Sequence, residues 1–213
     1  MWKFLRILAW TSLIIGVLIG GLRLTAIRWW QIPLNDPYFA ASLAPTLRGG
    51  DWVVLWRASP PSYGDLVLCP EPKTPSRMVI GRIVGERGDH IKVEGHQLTV
   101  NDHIVPTESM CEKFEVREPA SGEEVRLNCA TETVGSRTHP RGNVSPDAQQ
   151  PAAAEFDDIP NGKVFLASDD RQFPWDSREF GLVERATCVE TVVFRLISKD
   201  GFFDVPNRMM SIH

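Results

Sequence analysis

From Ile7 to Leu22 the chain reads ILAWTSLIIGVLIGGL, without a single charged side chain. Nothing else in the sequence restricts the fold as much. An uncharged run of about 16 residues approaches the roughly 20 needed to span a bilayer as a helix. Adding Phe4, Leu5 and Arg6 closes the gap, because an arginine at the edge can extend its charged head to the interface. Trp29-Trp30 then reads as an interfacial belt. A cleaved secretory signal is the competing reading. No small-x-small site follows the apolar run, where Leu22-Arg23-Leu24 stands instead, so an uncleaved anchor over residues 1–30 is expected. Lys3 and Arg6 precede the span and Arg23 and Arg28 follow it, so charge alone does not orient it.

Residues 31–213 must then form the domain, and they are enough for a sizeable core. After a Pro/Asn/Asp linker from Gln31 to Pro37, short β-type runs alternate with turn residues. The runs are Trp52–Trp56, Asp65–Cys69, Met78–Val84, His90–Val93, Gln97–Val100, Val164–Ala167 and Ala186–Ile197. Gly64-Asp65, Gly88-Asp89 and Asn101-Asp102 punctuate them. This spacing predicts a mainly β, antiparallel, barrel-like or sandwich domain. Residues 107–158 break the rhythm. They are polar and rich in Pro, Ala, Gly and Gln, and they read as an insertion with a mobile loop. Among the four cysteines, Cys111 and Cys129 are the closest pair, and their disulfide would close a loop of about 18 residues worth about 3 kcal/mol. Buried free thiols are the alternative. The formal charge of −4 and pI near 5.8 argue against a nucleic-acid partner.

Four segments in order carry a resemblance. They are Ser42-Leu43-Ala44-Pro45-Thr46-Leu47; Gly64-Asp65-Leu66-Val67; Arg82-Ile83-Val84-Gly85-Glu86-Arg87-Gly88-Asp89; and Ser168-Asp169-Asp170-Arg171 through Asp176-Ser177-Arg178-Glu179-Phe180-Gly181-Leu182-Val183. The chain resembles signal peptidase I, the membrane-anchored serine endopeptidases that remove leader peptides from exported proteins. The ending, Met210-Ser211-Ile212-His213, also looks like the family's close. The resemblance implies a β-rich core on the outer face of the cytoplasmic membrane, a single-pass anchor, and a small inserted β subdomain within 107–158. It implies membrane lipid and exported preproteins as partners, and no cofactor or metal.

The same resemblance implies a serine–lysine dyad with Ser42 as nucleophile. A serine needs a base within hydrogen-bond reach, and a lysine can act only where burial keeps it neutral. The lysine position here is Gly81. Arg77 cannot substitute, since a guanidinium does not deprotonate. Lys73 and Lys92 are eight or more residues from the slot. The family serine that steadies the lysine is replaced by Pro174, and a serine that supports the oxyanion by Ala40. His90 is a weak candidate base, because some relatives use histidine. Asp169, Arg171, Asp176, Ser177 and Arg178 would support the site, with Asp176 and Arg178 as a bidentate ion pair. Removing the base of a serine protease costs on the order of 10⁶ in kcat. Two readings follow: a leader peptidase with an unconventional base, or an inactive homologue that binds peptides or belongs to a larger membrane complex.

Overall fold

The computed structural model describes residues 2–145 and 148–212. Pro146 and Asp147 of the Pro/Gln-rich loop, and the terminal His213, lie outside the described residues. The apolar run forms one helix, α1 (Trp2–Thr25). At 1.5 Å per residue it extends about 36 Å, enough to cross a hydrocarbon core of about 30 Å.

The chain continues through β1 (Ile27–Gln31), α2 (Pro37–Ser42), β2 (Trp52–Trp56), β3 (Leu66–Pro70), β4 (Met78–Gly85), β5 (Ile91–Glu94), β6 (Gln97–Val100) and β7 (His103–Ile104). Then come β8 (Thr107–Arg117), β9 (Glu124–Val134), β10 (Arg137–Gly142), β11 (Ala154–Phe156), β12 (Lys163–Ala167), α3 (Ser177–Phe180), β13 (Val183–Glu184), β14 (Glu190–Ile197) and β15 (Met210–Ser211). The main sheet is ordered β1-β2-β14-β3-β4-β12-β13, with β15 on β14; β10-β9-β8 and β11-β5-β6-β7 form two smaller sheets. The strand pairs are antiparallel throughout.

β4 is the centre of the fold. Its residues from Val79 to Gly85 are all buried, because it has a strand on either side and packing on both faces. Period-two alternation divides those faces. Ile80 joins a cluster with Phe39, Leu43, Leu47 and Val53, while Val79 and Ile83 join Val67, Val164 and Leu166.

Two expectations need correction. Residues 27–31 are a sheet edge and not only an interfacial belt: Trp29 opposes Val54 and Gln31 opposes Trp52. Paired residues share a face, so Trp29, Trp52 and Trp56 lie outward while Trp30 packs inward, edge-on against Phe39 at 6.2 Å. The irregular reading of 107–158 also changes, since β8, β9, β10 and β11 lie within it. β8 and β9 are strands of 11 residues each. Their inner face is a narrow apolar strip, Phe114, Val116, Leu127 and Cys129, packed on Ala41 and Ala44. The rest of the hairpin is polar, which hides the alternation. All four cysteines are in disulfides. Cys111 and Cys129 are direct cross-strand partners, and Cys69 pairs with Cys188, 119 residues away.

Candidate functional site

Ser42 is the last residue of α2. Asp36 caps that helix by accepting from the Phe39 N–H at 3.1 Å, and Pro37 sets its first turn. A six-residue helix held this way fixes Ser42 at its C-terminal end. The Ser42 side chain is fully buried, and its Oγ donates to the Phe39 carbonyl at 2.9 Å. Among the described residues, no lysine, histidine or carboxylate is hydrogen-bonded to that oxygen.

The peptide after Ser42 runs beside the fourth motif segment. The Asp170 N–H donates to the Ser42 carbonyl at 3.0 Å. Thr46 Oγ1 donates to Asp169 Oδ2 at 2.6 Å. The fold therefore brings the first and last motif segments together. Asp169 also accepts from Arg82 through Nε and Nη2, both at 3.0 Å. Burial alone would raise its carboxyl, but Arg82, His139 and Thr46 outweigh burial and hold it at about 2. Asp170, next in sequence, goes the other way. Its burial dominates the N–H bonds from Gln172 and Phe173, and its carboxyl is pushed up to about 7.

Gly81 sits on β4 opposite Val67. It faces the same side as Val79 and Ile83, toward apolar side chains. A Cβ built at this position would lie 2.9 Å from Leu166 Cβ, closer than real Cβ contacts come. Any side chain here, lysine included, requires β12 to move away from β4. Position 174 lies before Trp175, whose ring is covered by the Arg77 guanidinium at 4.3 Å and by Tyr38 at 6.0 Å. Arg77 is further held by Asp36 and Glu71.

Other sequence candidates lie elsewhere. His90 precedes β5 and its ring is engaged by Glu155, Asp157 and Asp102. Lys73 donates to the Glu179 carbonyl, and Lys92 pairs with Glu94. Asp176 caps α3 by accepting from Arg178 N; its side chain takes Arg178 Nε at 2.9 Å and Nη2 at 2.8 Å, and also the Ser168 N–H. Ser177 Oγ accepts from Leu166 N at 2.9 Å. Arg171 donates to the Ser168 carbonyl and to Glu132.

Glu132, His139 and Arg141 form a buried polar set that the sequence did not suggest. Glu132 pairs with Arg171 at 2.7 Å and Arg141 at 3.1 Å. His139 Nε2 lies 3.6 Å from Glu132 and 3.5 Å from Asp169. Burial, reinforced by Arg82, lowers the His139 pKa and favours its neutral form. These residues join the three-stranded sheet to the main sheet through charge. They sit in the stretch whose composition reads as loop, and no motif marks them.

A groove of about 890 Å³ runs between Ala40, Ala41, Ala44 and Gly49 on one side and Glu112–Arg117 of β8 on the other. β8 is the edge of its sheet.

A family profile described as signal peptidase, peptidase S26, matches residues 5–197. A crystal structure of a signal peptidase I from Enterococcus faecalis matches with 20% identity and a TM-score of 0.41, covering 63% of this chain and 97% of that one. No curated protein matches the sequence.

Proposed function

This chain belongs to the signal peptidase family, peptidase S26, and from that premise we propose that it is a membrane-anchored member that holds polypeptide without hydrolysing it. The observation that carries this reading is Ser42 Oγ, fully buried and committed to the Phe39 carbonyl. A nucleophile without an adjacent base is a poor one. The position where the family places its lysine is glycine, packed against Leu166. The neighbouring support serine is Pro174.

What remains suits binding. β8 offers an unpaired strand edge along the groove, where an extended segment of an exported preprotein would add as a further strand. We read 31–213 as one domain with 107–158 as an inserted subdomain, since β8, β9 and β10 form a sheet of their own, joined among the described residues by a single bridge from Gly142 to Asp170. The domain would lie on the outer face of the cytoplasmic membrane. Two disulfides fit an oxidising compartment, and Trp29, Trp52 and Trp56 on one outer face fit a surface resting on lipid.

One observation favours a working peptidase instead. Asp170 touches Ser42 through the backbone, and a carboxyl near 7 is in the range of a general base.

One assay separates the readings. The detergent-solubilised protein is incubated with a preprotein beside Ser42→Ala, Asp170→Asn and the triple change Gly81→Lys, Leu166→Gly, Pro174→Ser. No cleavage by wild type or by the two single variants is expected, with preprotein binding unchanged by Ser42→Ala. Cleavage by wild type that vanishes in Ser42→Ala overturns the proposal. Its further loss in Asp170→Asn would assign the base. Cleavage that appears in the triple variant alone supports a scaffold lacking only its dyad.

A further inference from the structure

We propose that His90, Glu155 and Asp157 form a surface site for a divalent transition-metal ion, zinc by preference, with Asp102 orienting the imidazole from behind. The site is independent of the fate of Ser42. It lies on the four-stranded sheet and joins three stretches of chain: the start of β5, the turn between β6 and β7, and β11 with the residue after it.

The donors converge on one point. His90 Nε2 is 3.0 Å from Glu155 Oε1 and 3.8 Å from Asp157 Oδ1. All three donor atoms lie within 4.8 Å of one another. Two ligands of a tetrahedral zinc, each about 2.0–2.1 Å from the metal, sit about 3.3 Å apart. The observed separations bracket that value, so small side-chain rotations would close the shell. The fourth position faces solvent and would take water.

The backbone holds these donors on one side. Phe156, between the two acids, packs edge-on against Phe165 at 5.1 Å, which turns its neighbours outward. β11 is registered against β5 with Phe156 opposite Ile91. The His90 N–H donates to Asn101 Oδ1 at 2.9 Å, and Asn101 Nδ2 donates to Asp89 at 2.8 Å, so the imidazole leaves a fixed point. The other ring nitrogen, Nδ1, faces Asp102 Oδ1 at 3.6 Å. A carboxylate behind a histidine is the usual partner of a metal-bound imidazole.

Charge and donor type favour a transition metal. Three carboxylates surround one imidazole. Lys92, opposite Glu155 across the β5–β11 pair, is engaged by Glu94 at 3.0 Å. A nitrogen donor suits zinc, copper, iron or nickel, whereas magnesium, calcium and manganese prefer oxygen. An ion here would reinforce the pairing of β11 with β5 at the edge of that sheet, a structural role far in sequence from Ser42.

The test uses the untagged full-length chain in detergent, stripped with chelator and titrated with zinc, with cobalt as a spectroscopic substitute and magnesium as competitor. One zinc per chain is expected, with visible cobalt absorption and no displacement by excess magnesium. His90→Gln and Asp157→Asn should each weaken zinc at least tenfold while leaving the circular dichroism unchanged, and Asp102→Asn should weaken it about tenfold. No saturable binding up to millimolar zinc overturns the proposal. So does zinc binding that survives His90→Gln undiminished, or magnesium binding as well as zinc, either of which would mark a mere acidic patch.

Discussion

Gly81 and Arg82 are neighbours on β4 that face opposite ways, and the two faces differ in what they keep. Arg82 is buried and fully engaged. It gives Asp169 two hydrogen bonds and the Gly64 carbonyl a third at 2.7 Å. Through Asp169 it also reaches Thr46, in the turn after Ser42. It thus ties all four motif segments together, whatever chemistry the site performs. Position 81 holds nothing together. Its face closes on Leu166 with no side chain at all. A charge that maintains a fold is costly to remove, while the close approach at position 81 leaves no room for a side chain.

The largest effect should come from Arg82→Met. It leaves Asp169 buried without its bidentate partner, and breaking one side of a buried pair typically costs about 3–5 kcal/mol. Denaturant unfolding of the solubilised protein measures this. A loss below about 1 kcal/mol would mean that Arg82 is no more structural than a surface charge. Acid should act through the same group. Asp169 is held at about 2 in the fold, against about 3.9 unfolded. A depressed carboxyl stabilises above its unfolded value, so that contribution is present at neutral pH and lost as pH falls from about 4 toward 2.

Asp170 should show the opposite slope. Its carboxyl rises to about 7 in the fold, so the folded state keeps a proton that the unfolded chain releases above about pH 4. Its contribution is fully present below that point and lost as pH rises toward 7. The stability of Asp170→Asn relative to wild type should therefore improve between pH 4 and pH 8, by on the order of a few kcal/mol. Unfolding curves at the two pH values test it, and a pH-independent difference would place the carboxyl in an ordinary environment.

Gly81→Ala should cost about 1–3 kcal/mol by overpacking against Leu166, read as a lowered melting midpoint. Leu166→Gly combined with it should restore part of that loss beyond additivity; strict additivity would show that the two positions do not meet. Ser42→Ala should be the mildest change, about 1 kcal/mol from the lost bond to Phe39, with no change in processing of any preprotein. A larger functional than structural effect would make Ser42 a working nucleophile.

In the main sheet β2, β3, β4, β12 and β14 were legible because their burial alternates or is continuous. Trp52–Trp56 matches β2 residue for residue, and Gln97–Val100 does the same for β6 of the four-stranded sheet. The stretch around β8 to β10 was not, because its buried face mixes Phe114 and Val116 with Glu132, His139 and Arg141. A polar side chain buried by ion pairs reads in sequence like one in water. The absence of lysine at position 81 was visible. The closing of its space by Leu166, 85 residues later in the chain, depends on strand register and could not be. The raised carboxyl of Asp170 was hidden for the same reason, since burial is a property of the neighbours.

The bond between Cys69 and Cys188 makes a covalent ring of more than half the chain. The exposed hairpin tip at Ala120–Glu123 and the stretch before β11 both lie inside that ring. A protease that cuts either one releases nothing. The N-terminal helix and the C-terminal strands stay in one molecule, which migrates as two pieces only after reduction. Damage to the inserted sheet would therefore leave the protein tethered and intact in outline, and a non-reducing gel would not reveal it.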